Sequence, residues 1–260
     1  MRRTLPQGPE AESQADGRMT KAGDSLPIRR YRERRMPGPV LPPRAADAEL
    51  HALLVTLVLA LFVGPPLTQA GLVGPWLVQV LFAAIVAAGA LAVAHRSRPV
   101  LRVAMAAFVA VTMLARWQRD AVGTPGWQLA DAVCSALAIA LFAGVILRRV
   151  FSDGPITLGR IEGAVAVYLL VGVLWALLYE GILLRDPGAL AVATGRPVTE
   201  SDLSYYSFVT LTTVGYGDVT PVAPVARSLA VMEALIGQLY PAVLIARLVS
   251  LEIAHRPPRT

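Results

Sequence analysis

The chain alternates long apolar blocks with short polar stretches, and the blocks set its architecture. The first block runs from about Asp47 to Val63 and stops at Gly64-Pro65-Pro66, where proline removes helical donors. Others run from about Pro75 to Ala94, Pro99 to Trp117, Gly126 to Val150, Leu158 to Leu184 and Pro224 to Ile253. A bilayer core about 30 Å thick needs roughly 20 helical residues at about 1.5 Å each, and these blocks approach or reach that length. The pattern predicts an all-α membrane protein with six transmembrane helices. A shorter amphipathic stretch, Asp202 to Thr212, lies between the fifth and the sixth and is long enough to enter the membrane without crossing it.

Composition agrees with this pattern. The chain is 55% hydrophobic and 16% charged, against about 25% charged in soluble domains. The net charge of +6 does not indicate nucleic acid, because ten of the 24 Lys and Arg lie before residue 46, ahead of the first apolar block. That placement is the cytoplasmic bias of a membrane protein. Residues 1–45, rich in Pro, Arg, Gly and Glu, have no apolar periodicity and are expected to be a disordered cytoplasmic tail. Within it, Arg29, Arg30, Arg32, Arg34 and Arg35 could touch anionic lipid or plug a pore. No apolar h-region precedes residue 46, so the first helix is expected to serve as the insertion signal. Cys134 is the single cysteine and reads as a small buried hydrophobe, and His51, His95 and His255 have no metal-ligand spacing. Basic residues in the tail, at Arg96 and Arg98, and at Arg148, Arg149 and Arg160 put these loops inside. The uncharged 64–75 loop then lies outside, with Arg116 and Arg119 a mild exception. Both termini are thus expected in the cytoplasm of a multi-pass protein of the cell membrane.

After the short stretch the sequence reads Thr212-Thr213-Val214-Gly215-Tyr216-Gly217-Asp218. This resembles the selectivity-filter signature of the potassium channels, in which backbone carbonyls replace the hydration shell of K⁺. Successive carbonyls must point to one axis, whereas in a strand they alternate. Glycine permits the positive-φ conformations that restore one direction, so Gly215 and Gly217 stand where they are needed. The resemblance implies a re-entrant pore helix at 202–212, a selectivity-filter loop at 213–218 between helices five and six, an outer helix at 158–184 and an inner helix at 224–253. Thr213, Val214, Gly215, Tyr216 and Gly217 would bind the permeant K⁺, the only metal ion involved. Thr212, Asp218, Tyr205, Tyr206 and Glu180 would support them, Glu180 by accepting from the backbone after the filter. Arg227, and Gly237 twenty residues after Gly217, fall where two-helix potassium pores place an arginine and a hinge glycine. Pro241 follows one turn later, and Gln238, Pro241 and Ile245 would face the inner cavity. Gly237 could equally serve close helix packing. Glu233 could brace the pore helix through Ser207 or the tyrosine hydroxyls, or act as a proton sensor.

One filter loop lines a quarter of a pore, so a cyclic homotetramer is expected, with membrane lipid around it and no cofactor, nucleic acid or catalytic step. An unseen regulatory ligand or subunit stays open. Residues 46–150 would form a four-helix domain of voltage-sensor-like layout, and 151–260 the pore domain. Voltage-gated relatives carry a basic residue at every third position of the fourth helix, but residues 127–147 contain none. Steep voltage sensing is therefore not expected. Asp131 reads as an interfacial residue without special function. A weakly selective pore, a transporter component and a silent subunit are the competing readings.

Overall fold

The computed structural model describes residues 43–74, 76–94, 99–152 and 157–255. The tail residues 1–42, His95, Arg96, Arg98 and 256–260 lie outside them. Helix α1 (Pro43–Val58) begins four residues before the expected Asp47 and continues through a π-helical turn (Leu59–Val63) into α2 (Gly64–Gln69), so that the three make one rod. Then come α3 (Trp76–Ala94), α4 (Pro99–Val122), α5 (Pro125–Val150), α6 (Leu158–Leu183), the short α7 (Glu200–Leu211) and α8 (Pro224–His255). Two three-residue strands, β1 (Leu190–Val192) and β2 (Val219–Pro221), pair antiparallel with Ala191 opposite Thr220.

Local chemistry accounts for the helix starts. Thr124 is extended and Pro125 opens α5, where a missing N–H costs nothing. Arg148 and Arg149 in the last turn of α5 suit the negative end of its dipole. At α7 the Thr199 hydroxyl accepts from Asp202 N–H while the Asp202 carboxylate accepts from Thr199 N–H, closing a capping box.

The main core joins Leu50, Leu53 and Leu57 of α1, Ile85 and Val86 of α3, Ile139, Phe142 and Ile146 of α5, and Val167 and Leu170 of α6. Small residues let the rods close up. A Cβ on Gly89 would lie 2.7 Å from the Phe142 ring, and one on Gly172 would lie 2.5 Å from Phe208. A second core sets Trp175 and Tyr179 of α6 against Leu203 and Tyr206 of α7, with Leu190 and Val219 of the strands below them.

This arrangement corrects the six-span expectation. The described residues form seven helical rods, and only four are long and apolar enough to cross a membrane: Ala48–Gln69, Pro125–Val150, Leu158–Leu183 and Pro224–Leu251. In α3 the apolar stretch among the described residues is Trp76–Leu91, below the roughly 20 residues a crossing needs. In α4 the uncharged run between Arg102 and Arg116 is only residues 103–115. Nor does the single chain bury a re-entrant loop, because every residue from 212 to 218 is exposed. A helix of twelve residues, about 18 Å long, and the seven residues after it cannot enclose themselves.

Two outcomes follow for the capping box. Thr199→Ala is expected to cost about 1 kcal/mol in a melting experiment. The Arg196 guanidinium, 2.6 and 2.8 Å from the two Asp202 oxygens, and the Thr199 donors hold the Asp202 carboxyl well below the usual carboxylate range. Its folded pKa lies under its unfolded one, near 3.9. The stabilisation is therefore complete above that value and lost as pH falls through the folded one. An acid titration of unfolding should be shallower in Asp202→Asn than in the native chain.

Candidate functional site

The motif follows directly on α7. The Thr212 hydroxyl donates to Phe208 O at 2.6 Å and closes the last turn, whose free carbonyls give that end partial negative charge. Beyond it φ is positive at Thr213 (59°), Gly215 (57°) and Gly217 (81°), at every second residue. The positive φ at Thr213 was not expected from the sequence, because a β-branched residue rarely takes this conformation, at a cost of about 1–3 kcal/mol. The strain is held in place by its neighbours. Thr213 N–H donates to Thr210 O, and the amides of Val214 and Gly215 converge on Val209 O at 2.9 and 3.3 Å. The Gln238 amide of α8 donates to the Thr213 hydroxyl at 2.8 Å, so the two groups meet at the start of the motif. Val214 and Tyr216 are exposed side chains in the single chain.

Asp218 anchors the far end. Ala193 N–H donates to its carbonyl, continuing the β1–β2 ladder, and the Tyr205 hydroxyl bonds to its carboxylate, which raises the phenol above its ordinary pKa. The Arg227 side chain donates to Pro221 O and fixes β2 against the start of α8.

Helix α7 is itself clamped at its C-terminus. The Tyr168 hydroxyl of α6 donates to Leu211 O at 3.3 Å, and α8 approaches from the other side through Gly237. A Cβ on Gly237 would overlap Leu211 O, so close packing at this position is a geometric fact. Pro241, four residues on, has no N–H for the Gly237 carbonyl, so flexibility and packing meet at one turn. Ile245 is exposed further along α8. Glu233 is buried and takes hydrogen-bond contacts from Tyr179 and Ser207. Tyr206 packs edge-on against Tyr179 with ring centroids 5.0 Å apart.

Two acidic residues stand elsewhere than the sequence implied. Glu180 accepts from Arg119 at 2.9 Å, not from the backbone after the motif. Asp131 is 1% exposed and pairs with Arg119 at 3.0 Å and Arg116 at 3.5 Å, so it is neither interfacial nor idle. Arg119 also reaches Glu200, in the first turn of α7. One guanidinium from α4 thus joins carboxylates on α5, α6 and α7. Beside it the Gln69 amide at the end of α2 donates to the Ser201 hydroxyl at 3.0 Å. Sequence spacing gave no sign of this cluster, whose members are 12, 61 and 81 residues apart.

The chain matches the family model described as "Ion channel" over residues 163–253, which takes in α6, α7, the motif and α8. It is 30% identical over 122 residues to Protein LctB of Bacillus caldotenax, covering 45% of this chain and 90% of that relative. It is 44% identical over 63 residues to Protein LctB of Geobacillus stearothermophilus, or 24% of this chain. It spans 46% of the length of that second relative. No solved structure matches the chain. Four long apolar helices make this a multi-pass integral membrane protein, and the chain belongs to the ion-channel family.

Two substitutions test the supports. Gly237→Ala forces α8 from Leu211 and is expected to cost about 3 kcal/mol, read as a lower melting temperature in detergent. Arg119→Ala leaves Glu180 and Glu200 without their cation and is expected to cost about 3 kcal/mol. Arg119→Lys, a single point charge, should recover only part of it.

Proposed function

We propose that the protein is a potassium-selective channel subunit that conducts K⁺ passively, with no chemical step, through a pore built by four copies of the chain. The observation that carries this reading is the motif Thr212–Asp218 with its positive φ at Thr213, Gly215 and Gly217. Turning alternate residues of an extended segment into the left-handed region swings every second carbonyl over, so that successive oxygens can face one axis. Oxygens so aligned can replace the water shell of a K⁺ ion, and Val214 and Tyr216 on the opposite side can pack outward against surrounding protein. The negative end of α7 favours a cation at the inner mouth of this segment.

Assembly of four copies is supported by what the chain leaves uncovered. In the most apolar 18-residue stretch of each span, 11% of the α8 residues and 50% of the α6 residues are buried, although the family match takes in most of both helices. Val231, Leu235, Leu239, Val243 and Ile245 on α8 are exposed, an apolar surface for neighbouring copies and lipid. Residues 151–260 are then the conducting part and 46–150 a supporting domain.

Orientation rests on charge. Arg148, Arg149 and Arg160 stand by the α5–α6 turn, and ten basic residues precede residue 46, a bias that supports a cytoplasmic side for these regions and for both termini. Arg116 and Arg119 do not count against this assignment, because each is paired with Asp131. The same pairing argues against voltage sensing, since α5 has basic residues only in its last turn and Arg119 is held by three carboxylates.

Flux into liposomes holding this chain alone is the test. K⁺ is expected to enter well ahead of Na⁺, with little dependence on voltage, and Gly215→Ala should abolish the preference. Equal K⁺ and Na⁺ flux would make the protein a non-selective pore. No flux from a verified tetramer would make it a subunit that needs a partner.

A further inference from the structure

Behind α7, where α6, α7 and α8 meet, five oxygen atoms form a chain with three short contacts. Ser207 Oγ lies 2.8 Å from Gly172 O and 2.5 Å from Glu233 Oε1, and the Tyr179 hydroxyl lies 2.7 Å from Glu233 Oε2. Ser207, Tyr179 and Glu233 are each fully buried. A contact of this length between two oxygens requires a hydrogen between them, and the serine and the tyrosine supply one each. The Gly172 carbonyl can only accept, so the serine hydrogen is used there, and the tyrosine hydrogen is used at Oε2. The third contact, between Ser207 and Glu233, then lacks a hydrogen unless the carboxyl brings it.

The surroundings agree with the count. No Lys, Arg or His faces Glu233 among the described residues; the titratable groups around it are Tyr168 and Tyr179 of α6 and Tyr206 of α7, with none from α8 itself. The Trp175 N–H, which could have helped, is committed to Leu229 O at 3.2 Å. A carboxylate in an apolar interior with no cation beside it is costly, and taking up a proton removes the cost.

We infer that Glu233 is a neutral carboxylic acid that donates its hydrogen to Ser207 Oγ, and that this donation makes it a positioning residue holding α7 to both α6 and α8. The hydrogens run in one direction, from Glu233 to Ser207 to Gly172 O, and cross all three helices. Loss of the proton leaves a carboxylate oxygen, Oε1, facing a serine whose hydrogen can serve only one neighbour, so either the α6 or the α8 end of the tether is released. Residues 213–217 hang from the end of α7, so their geometry follows that tether. Its effect on ion preference rests on the conduction reading above, whereas the proton on Glu233 does not.

The experiment combines infrared spectra and flux on the full chain in liposomes. At neutral pH the spectrum should contain a protonated-carboxyl band that Glu233→Gln removes and that Ser207→Ala moves to higher frequency, its acceptor being gone. As pH rises the band should vanish and the K⁺ over Na⁺ preference should fall on the order of tenfold, the size of one lost hydrogen bond. Glu233→Gln, whose amide donates to Ser207 and accepts from Tyr179 at any pH, should give a flat profile. A neutral-pH spectrum in which Glu233→Gln removes only a carboxylate band overturns the inference. So does a band that disappears with alkali while native and Glu233→Gln chains share one flux profile. A native chain with no K⁺ preference at any pH would refute the conduction reading, and the band would then decide the proton alone.

Discussion

A hydrocarbon medium offers no partner to a polar group, and every N–H, carbonyl and charge carried into it must be met from within the protein. Three polar clusters around α7 are answers to that demand. At the end of α7, the Leu211 carbonyl takes the Tyr168 hydroxyl, and the absence of a side chain on Gly237 lets α8 seal the other side. Behind α7, oxygens from three helices share their hydrogens around Glu233. At the start of α7, Arg119 gathers the carboxylates of Asp131, Glu180 and Glu200. Among the described residues no buried side-chain nitrogen or oxygen lacks a partner. All three answers converge on one short helix, and the motif is attached to it.

The two halves of the chain depend on one another through that helix. The family match begins at residue 163, so the rods before α6 lie outside it. They nevertheless reach the start of α7 through Arg119 and Gln69, both at or near the ends of their rods. A guanidinium that bonds three carboxylates on three elements is a strut, and a strut cannot also be a mobile charge.

What could be read in the sequence was what is local. The motif is seven consecutive residues, and helices α5, α6 and α8 follow from apolar length, so their positions came out within a few residues. The π-helical turn at Leu59–Val63 left no mark, since Leu, Ala and Phe suit an ordinary helix equally well. The number of spans was overestimated because apolar content alone was counted: among the described residues four helices combine the length and the hydropathy to cross, and Arg102 and Arg116 cut the uncharged run of α4 to residues 103–115. Positive φ at Thr213 contradicts the preference of threonine and is imposed by contacts with Thr210 and Gln238. The Arg119 cluster was invisible for a different reason. Its partners are far apart in the chain, and a lone Asp131 in an apolar block looks the same whether it faces water or a guanidinium.

The π-helical turn sets a rule for how this family of chains can change length. A π turn takes in one residue more than an α turn, so everything after it is rotated by about 100° relative to an unbroken helix. That rotation carries Gln69 round to Ser201 and turns Gly64 toward Leu81, 3.0 Å away from a built Cβ. A one-residue deletion within 59–63 would restore an ordinary helix and leave every downstream side chain facing its present neighbour, whereas a deletion elsewhere in the rod would turn all that follow by about 100°. Drift in this rod is thus restricted by register more than by residue type: substitutions among apolar residues are cheap, and a gap is cheap only within the π turn.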